Sequence, residues 1–185
     1  NDTIITNPSC YSTNDGSIEV IAVSTNNPIQ YQIDGNPYQL NNTFDNLIDG
    51  TYQIVVLDAN LCSDTLEVIV MQPDSITFDT TTIAPLCFED CNGEIEFSNI
   101  NGGNGNYNIS IDNGNTFQSG LTFNNICADD YNVVVEDING CQSFMVVSVS
   151  EPTTLVLNMT IDSASCNGVD DGVVTATVNG GTPTY

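Results

Sequence analysis

Leu47-Ile48-Asp49-Gly50-Thr51-Tyr52-Gln53-Ile54-Val55-Val56-Leu57-Asp58-Ala59-Asn60-Leu61-Cys62 has a second copy later in the chain, Ile126-Cys127-Ala128-Asp129-Asp130-Tyr131-Asn132-Val133-Val134-Val135-Glu136-Asp137-Ile138-Asn139-Gly140-Cys141. Tyr52 and Tyr131 are 79 residues apart, and so are Cys62 and Cys141. Each copy reads as a turn, a Tyr, a β-branched strand, an Asp/Asn turn and a Cys, which is a strand running into a hairpin. A fixed offset across several elements marks a tandem array.

Working outward, the same offset recurs. Gln72-Pro73 precedes Glu151-Pro152 by 79 residues; Cys10, Cys87 and Cys166 each open a Cys-x5-Gly loop ending at Gly16, Gly93 and Gly172. Between these landmarks lie short alternating runs. Ile18, Val20 and Ala22 share one face of the first, Ile29–Ile33 forms the next, and Asp34-Gly35-Asn36-Pro37 is a turn. Residues 38–44 read as one strand or two, and 65–71 as the last strand of the unit. No segment keeps a helical period. The reading is all-β: tandem immunoglobulin-like β-sandwich repeats of about 79 residues, six or seven strands each, with the Tyr52 stretch resembling a tyrosine corner. The expected boundaries are 1–73, 74–152 and the truncated start of a third repeat at 153–185. Pro73 and Pro152 make short joints in place of flexible linkers, so the array is expected to be a semi-rigid rod.

Composition narrows the function classes. The 185 residues contain no Lys, Arg or His against 24 Asp plus Glu, a net charge of −24. The acids are spread, nine in 1–73, twelve in 74–152 and three in 153–185, as expected of a solvated surface. Without cations the chain cannot neutralise phosphates, so nucleic acid is excluded as a partner and anionic lipid headgroups are disfavoured. No base is present for a Ser-His or Cys-His nucleophile, and the many carboxylates do not single out a glycosidase pair; the chain is read as a non-enzyme. No secretion signal and no apolar membrane-spanning run occurs in these residues, and the repeats are expected to belong to a longer chain that supplies them.

Seven cysteines at repeating positions point to an oxidising, extracytoplasmic setting. The first repeat has only Cys10 and Cys62, so an internal bridge there is Cys10–Cys62. Its counterpart is Cys87–Cys141, with Cys91–Cys127 as an extra bridge. Strand parity sets these against each other: four strands between Cys10 and Cys62 bring that pair to one end but separate Cys91 from Cys127, and five strands do the reverse. A bridge between repeats, such as Cys10–Cys141, is the alternative.

Two further motifs recur. Asp15, Glu89, Asp90, Asp170 and Asp171 lie in the Cys-x5-Gly loops and are the candidate ligands for calcium, which favours clustered oxygens; turn-forming Asp-Gly with no ion is the other reading. Asp followed by Ser or Thr and then an apolar residue or Thr places a hydroxyl at Thr3, Thr65, Ser75, Thr80 and Ser163. This resembles the O-glycosylation sequon of Bacteroidetes envelope proteins. Asn41, Asn108 and Asn158 stand in N-x-S/T positions.

Taken together, Cys-x5-Gly, Gly50-Thr51-Tyr52, Asp58-Ala59-Asn60-Leu61-Cys62 and Gly180-Gly181-Thr182-Pro183-Thr184-Tyr185 resemble the SprB-type repeat of large Bacteroidetes cell-surface adhesins, some of which serve gliding motility. The second copy departs from it with Asp129-Asp130-Tyr131, and the first has Ser24-Thr25-Asn26-Asn27-Pro28 where the third has the Gly-Gly-Thr-Pro form. The resemblance implies type IX secretion, a very long chain and a place outside the outer membrane. The expected role is a structural stalk module of an adhesive filament. Its partners would be neighbouring repeats of the same chain, with surface polysaccharide or other cells as targets. A glycan-binding module and a spacer in a secreted enzyme are the alternatives.

Overall fold

The structure, a computed structural model, describes residues 2–185. The first repeat supplies six strands: β1 (Asp2–Thr6), β2 (Gly16–Ile21), β3 (Gln30–Ile33), β4 (Thr43–Leu47), β5 (Gly50–Leu57) and β6 (Ser63–Val70). They form two three-stranded sheets, β1-β2-β4 and β3-β5-β6. In immunoglobulin lettering these are A-B-E and C-F-G. Alternation decides which way each strand faces. On β2, Ile18 and Val20 are buried while Glu19 and Ile21 are exposed. They meet Phe44 from β4 in the same sheet and Tyr31, Ile54, Val68 and Val70 from the other, so the two sheets share one core. Each such aliphatic side chain contributes roughly 1.5–3 kcal/mol by leaving water.

The pattern occurs again. β7 (Thr77–Ile83), β8 (Gly93–Asn101) and β10 (Thr122–Ile126) form one sheet; β9 (Asn108–Ser110), β11 (Asp129–Glu136) and β12 (Gln142–Val149) form another. Phe97 is central here, with ring centroids 5.8 Å from Phe78 and 5.9 Å from Phe123. β13 (Val156–Asp162) and β14 (Val173–Asn179) then pair antiparallel from Val156↔Asn179 to Asp162↔Val173, as β1 pairs with β2.

Both complete copies carry the same two local devices. An extra residue interrupts β4 between Asp45 and Leu47 opposite Gly16/Ser17, and likewise β10 between Asn124 and Ile126. The bulged residues, Asn46 and Asn125, have φ of 60° in both cases, a left-handed conformation that Asn tolerates well. A tyrosine corner follows. Tyr52 Oη donates to the Ile48 carbonyl at 3.0 Å, and Tyr131 Oη to the Cys127 carbonyl at 3.1 Å.

By contact density the chain divides into two compact units. The first comprises Asn1–Thr77, Asn101–Tyr107 and Val135–Ser143; the second comprises Phe78–Ile100, Asn108–Val134 and Phe144–Tyr185. The first unit thus contains the first repeat together with the end of β8 and the β11–β12 hairpin tip. The second unit holds the remainder of the second repeat and β13–β14.

Candidate functional site

The Asp-x-Asn-x-Cys motif builds a rigid hairpin tip. In the first unit, Asp137 closes the β11–β12 turn and is only 2% exposed. Its Oδ1 accepts the N–H groups of Asn139 at 2.8 Å and Cys141 at 3.0 Å; its Oδ2 accepts the Asn104 N–H at 2.7 Å and Asn104 Nδ2 at 2.9 Å. Burial works against the charge of Asp137, but these hydrogen bonds outweigh it and hold the carboxyl below its ordinary range. Asp58 does the same at the β5–β6 turn, capping Asn60 at 2.9 Å and Cys62 at 3.0 Å, with Asn26 and Ser24 on its other oxygen. Hydrogen bonding, from Asn26 first, lowers its pKa too. The motif therefore fixes a cysteine at the end of each hairpin.

The Cys-x5-Gly loop is equally constrained. Asp15 Oδ1 accepts the Ser9 N–H at 3.0 Å and the Thr13 hydroxyl at 2.7 Å. Hydrogen bonding from Ser9 and then Thr13 holds its pKa at about 2. In the other copies, Asn92 caps Leu86 at 2.9 Å and Asp171 caps Ser165 at 2.8 Å. Asn serves as well as Asp, so the position needs an acceptor oxygen rather than a charge. The following glycine is required by close packing: a Cβ on Gly16 would lie 2.8 Å from the Leu47 carbonyl oxygen, and one on Gly93 would lie 2.7 Å from that of Ile83.

The first unit brings the two devices together. Cys10 is disulfide-bonded to Cys141, and Asn104 Nδ2, already on Asp137, donates to the Ser9 carbonyl at 3.1 Å. Gly103 N–H donates to the Asp74 carbonyl at 2.8 Å. Gly102 and Gly103 both have positive φ, and a Cβ on Gly102 would come within 2.1 Å of the Ser75 carbonyl oxygen. The Gly-Gly pair is thus the bed on which residues 74–76 lie. A cavity of about 220 Å³ remains, lined by Cys10, Tyr11, Ile76, Gly103 and Cys141 among others.

This corrects the expected pairing. Cys10–Cys62 and Cys87–Cys141 do not form; Cys62, Cys87 and Cys166 are exposed free thiols. The reason is a fifth passage between Cys10 and Cys62. Gln39 pairs antiparallel with Tyr31 through an isolated bridge, so the chain crosses the sandwich on β2, β3, the Gln39 stretch, β4 and β5. Ser12 N–H accordingly bonds the side chain of Gln72, beyond the end of β6, at 2.6 Å, while Cys62 precedes the start of β6. The eight residues of β6 span about 26 Å, far beyond the roughly 7 Å between Cα atoms that a disulfide allows. In the second copy Glu89 N–H likewise bonds Glu151, beyond β12, at 2.6 Å, while Cys141 precedes β12. Cys91 and Cys127 are separated by four passages, β8, β9, the Gln118 stretch and β10, which leave them at one end, and they are bonded.

The remaining sequence motifs fall separately. Asp15, Glu89, Asp90, Asp170 and Asp171 are exposed; among the described residues no three His, Cys, Asp or Glu side chains are grouped to hold a metal. Thr65, Ser75 and Ser163 are exposed, whereas Thr3 on β1 and Thr80 on β7 are half-buried. Sequence reasoning missed Asn104 and Gly102-Gly103; the signal for the latter was the recurrence of the pair 78 residues later at Gly180-Gly181.

No family model and no curated protein matches the chain. Among solved structures, the chain is similar to the three N-terminal domains of the bacteriophage RB49 highly immunogenic outer capsid protein, with 12% identity, a TM-score of 0.44, and coverage of 96% of this chain and 69% of that one. It is also similar to the C-terminal 282-residue fragment of intimin, solved with the intimin-binding domain of its translocated receptor, with 12% identity, a TM-score of 0.40, and coverage of 84% and 67%. At these values neither bears on what the chain does.

Proposed function

We propose that this chain is a stretch of a long extracellular filament, a stalk that carries adhesive regions away from a cell surface, of the kind formed by SprB-type repeats. The Cys10–Cys141 bridge carries the reading. It links a loop of one sequence repeat to the hairpin of the next across 131 residues, and such bridges persist in oxidising compartments. Two supports stand beside it. Recognition chemistry for nucleic acid is missing from a chain without Lys or Arg, and the exposed hydroxyls of Thr65, Ser75 and Ser163 suit surface glycosylation after export. Neighbouring repeats are its first partners, and surface polysaccharide or other cells its targets.

The test is to label the protein on living source cells with a fluorescent antibody fragment. Surface label on unpermeabilised cells that travels along the cell is expected of a gliding adhesin. Label fixed in place or lying in fibres between cells would refute motility and leave a static adhesive filament. Label reached only after permeabilisation would refute the extracellular reading.

A further inference from the structure

We infer that the Cys10–Cys141 link is one instance of a rule: each Cys-x5-Gly loop cysteine is bonded to the Asp-x-Asn-x-Cys hairpin of the next repeat along the chain. Cys87 is then the loop half of one such junction and Cys62 the hairpin half of another. The inference rests on the extracellular reading above.

The Cys87 loop already shows the formed junction's contacts, residue for residue. Where Asn104 Nδ2 donates to the Ser9 carbonyl at 3.1 Å, Thr182 Oγ1 donates to the Leu86 carbonyl, also at 3.1 Å. Where Gly103 N–H donates to Asp74 at 2.8 Å, Gly181 N–H donates to Thr153 at 2.7 Å. The cysteine loops share one turn, with Thr13 N–H on the Cys10 carbonyl at 3.3 Å and Asp90 N–H on that of Cys87 at 3.2 Å. The cavities beside the two loops also correspond: Tyr11, Ile76 and Gly103 beside Cys10 have Phe88, Leu155 and Gly181 as counterparts beside Cys87, and at the formed junction Gly140 and Cys141 complete the lining. The occupant that fits is an Asp-capped hairpin tip with a cysteine four residues after the Asp.

The other half is equally prepared. Asp58, Asn26 and Ser24 hold the Cys62 tip as Asp137 and Asn104 hold that of Cys141. Cys62 lines an open cavity of about 190 Å³ with Asp58, Ser24 and Val56. The free thiols at Cys62 and Cys87 are thus complementary halves with no reachable partner inside their own repeats. Closure is a two-electron oxidation. Two thiols lose two protons and two electrons to become one disulfide, and the disulfide of an envelope thiol oxidoreductase is reduced to two thiols.

The test is disulfide mapping of the full-length protein taken from cells under N-ethylmaleimide, cut at Asp with an endoproteinase because the chain offers trypsin no site. The expected result is a Cys10–Cys141 peptide, Cys87 joined to the hairpin cysteine of the following repeat, and Cys62 joined to the loop cysteine of the preceding one, none alkylated. An intact Cys10–Cys141 with Cys87 or Cys62 alkylated, or bonded inside its own repeat, overturns the rule and leaves the extracellular reading standing. All seven cysteines alkylated overturns both.

Discussion

Replacing Cys10 and Cys141 together by Ser tests the junction most directly, because it removes the bridge without leaving a reactive thiol. The bridge closes 131 residues, but Cys91–Cys127 short-circuits 36 of them. The effective loop is therefore about 95 residues, and on the chain-entropy relation its closure stabilises the folded state by about 4.7 kcal/mol at 25 °C. Engineered and native bridges often deliver less, so the expected loss is about 3–5 kcal/mol. Urea unfolding followed by Tyr fluorescence and circular dichroism, under non-reducing conditions, measures it. The unfolding midpoint of the first unit should fall sharply, while Cys62→Ser in the 185-residue chain on its own, where that thiol is exposed and free, should leave the midpoint within about 0.5 kcal/mol of the parent. If the double variant unfolds with the parent, the bridge is not closed in solution. If Cys62→Ser is the damaging change, Cys10 pairs with Cys62 and the five-passage topology is wrong.

Other outcomes follow from the same geometry. Tyr52→Phe removes only the hydroxyl bonded to the Ile48 carbonyl and should cost about 0.5–1.5 kcal/mol in urea unfolding; no change would deny the tyrosine corner a stabilising role. Gly93→Ala drives a Cβ against two carbonyl oxygens, at 2.7 and 2.9 Å, whereas Gly172→Ala meets nothing nearer than 3.4 Å. The first should cost about 1–3 kcal/mol and the second far less; equal losses would refute the packing argument. Leu61 has φ of 64° and is 77% exposed, while its counterpart Gly140 takes φ of 82° naturally. Leu61→Gly should therefore raise stability by roughly 0.5–1 kcal/mol, and a clear loss would contradict it. Asp15 has its pKa lowered from 3.8 to about 2, so its contribution is fully present above about pH 4 and disappears as pH falls through about 2. Asp58 and Asp137 shift the same way, and the melting temperature should drop between pH 4 and 2; a flat profile there would show that these caps do not stabilise the fold.

The fold was legible because its signals are local and repeated. The Ile18-Val20 alternation, the Asp34-Gly35 turn and the Gly50-Thr51-Tyr52 start of β5 each announce themselves within a few residues, and recurrence at one offset removes chance. The junction was not legible, since it depends on counting passages, and one passage is too short to leave a pattern. Gln39 pairs with Tyr31 by a single bridge, with no alternating run to mark it, yet it sends Cys62 to the far end from Cys10. The Asn46 and Asn125 bulges were hidden in the same way, because an Asn inside a strand reads as polar decoration until the register shifts around it.

The same reasoning explains why Asp58 and Asp137 carry the motif more firmly than the residues between them. Each carboxylate must accept two turn N–H groups and also a side chain from the loop after the second strand of its repeat, Asn26 or Asn104. Position 59 or 138 only needs to follow the turn, and 61 or 140 only needs to accept a left-handed φ. The sequence pattern looked like a turn with a cysteine attached. In the fold it is a carboxylate that couples two loops and, through Asn104, aims one repeat's cysteine at the loop of the repeat before it. A chain without Lys, Arg or His has put Asp137 to use as a hydrogen-bond acceptor at the point where two of its repeats are joined.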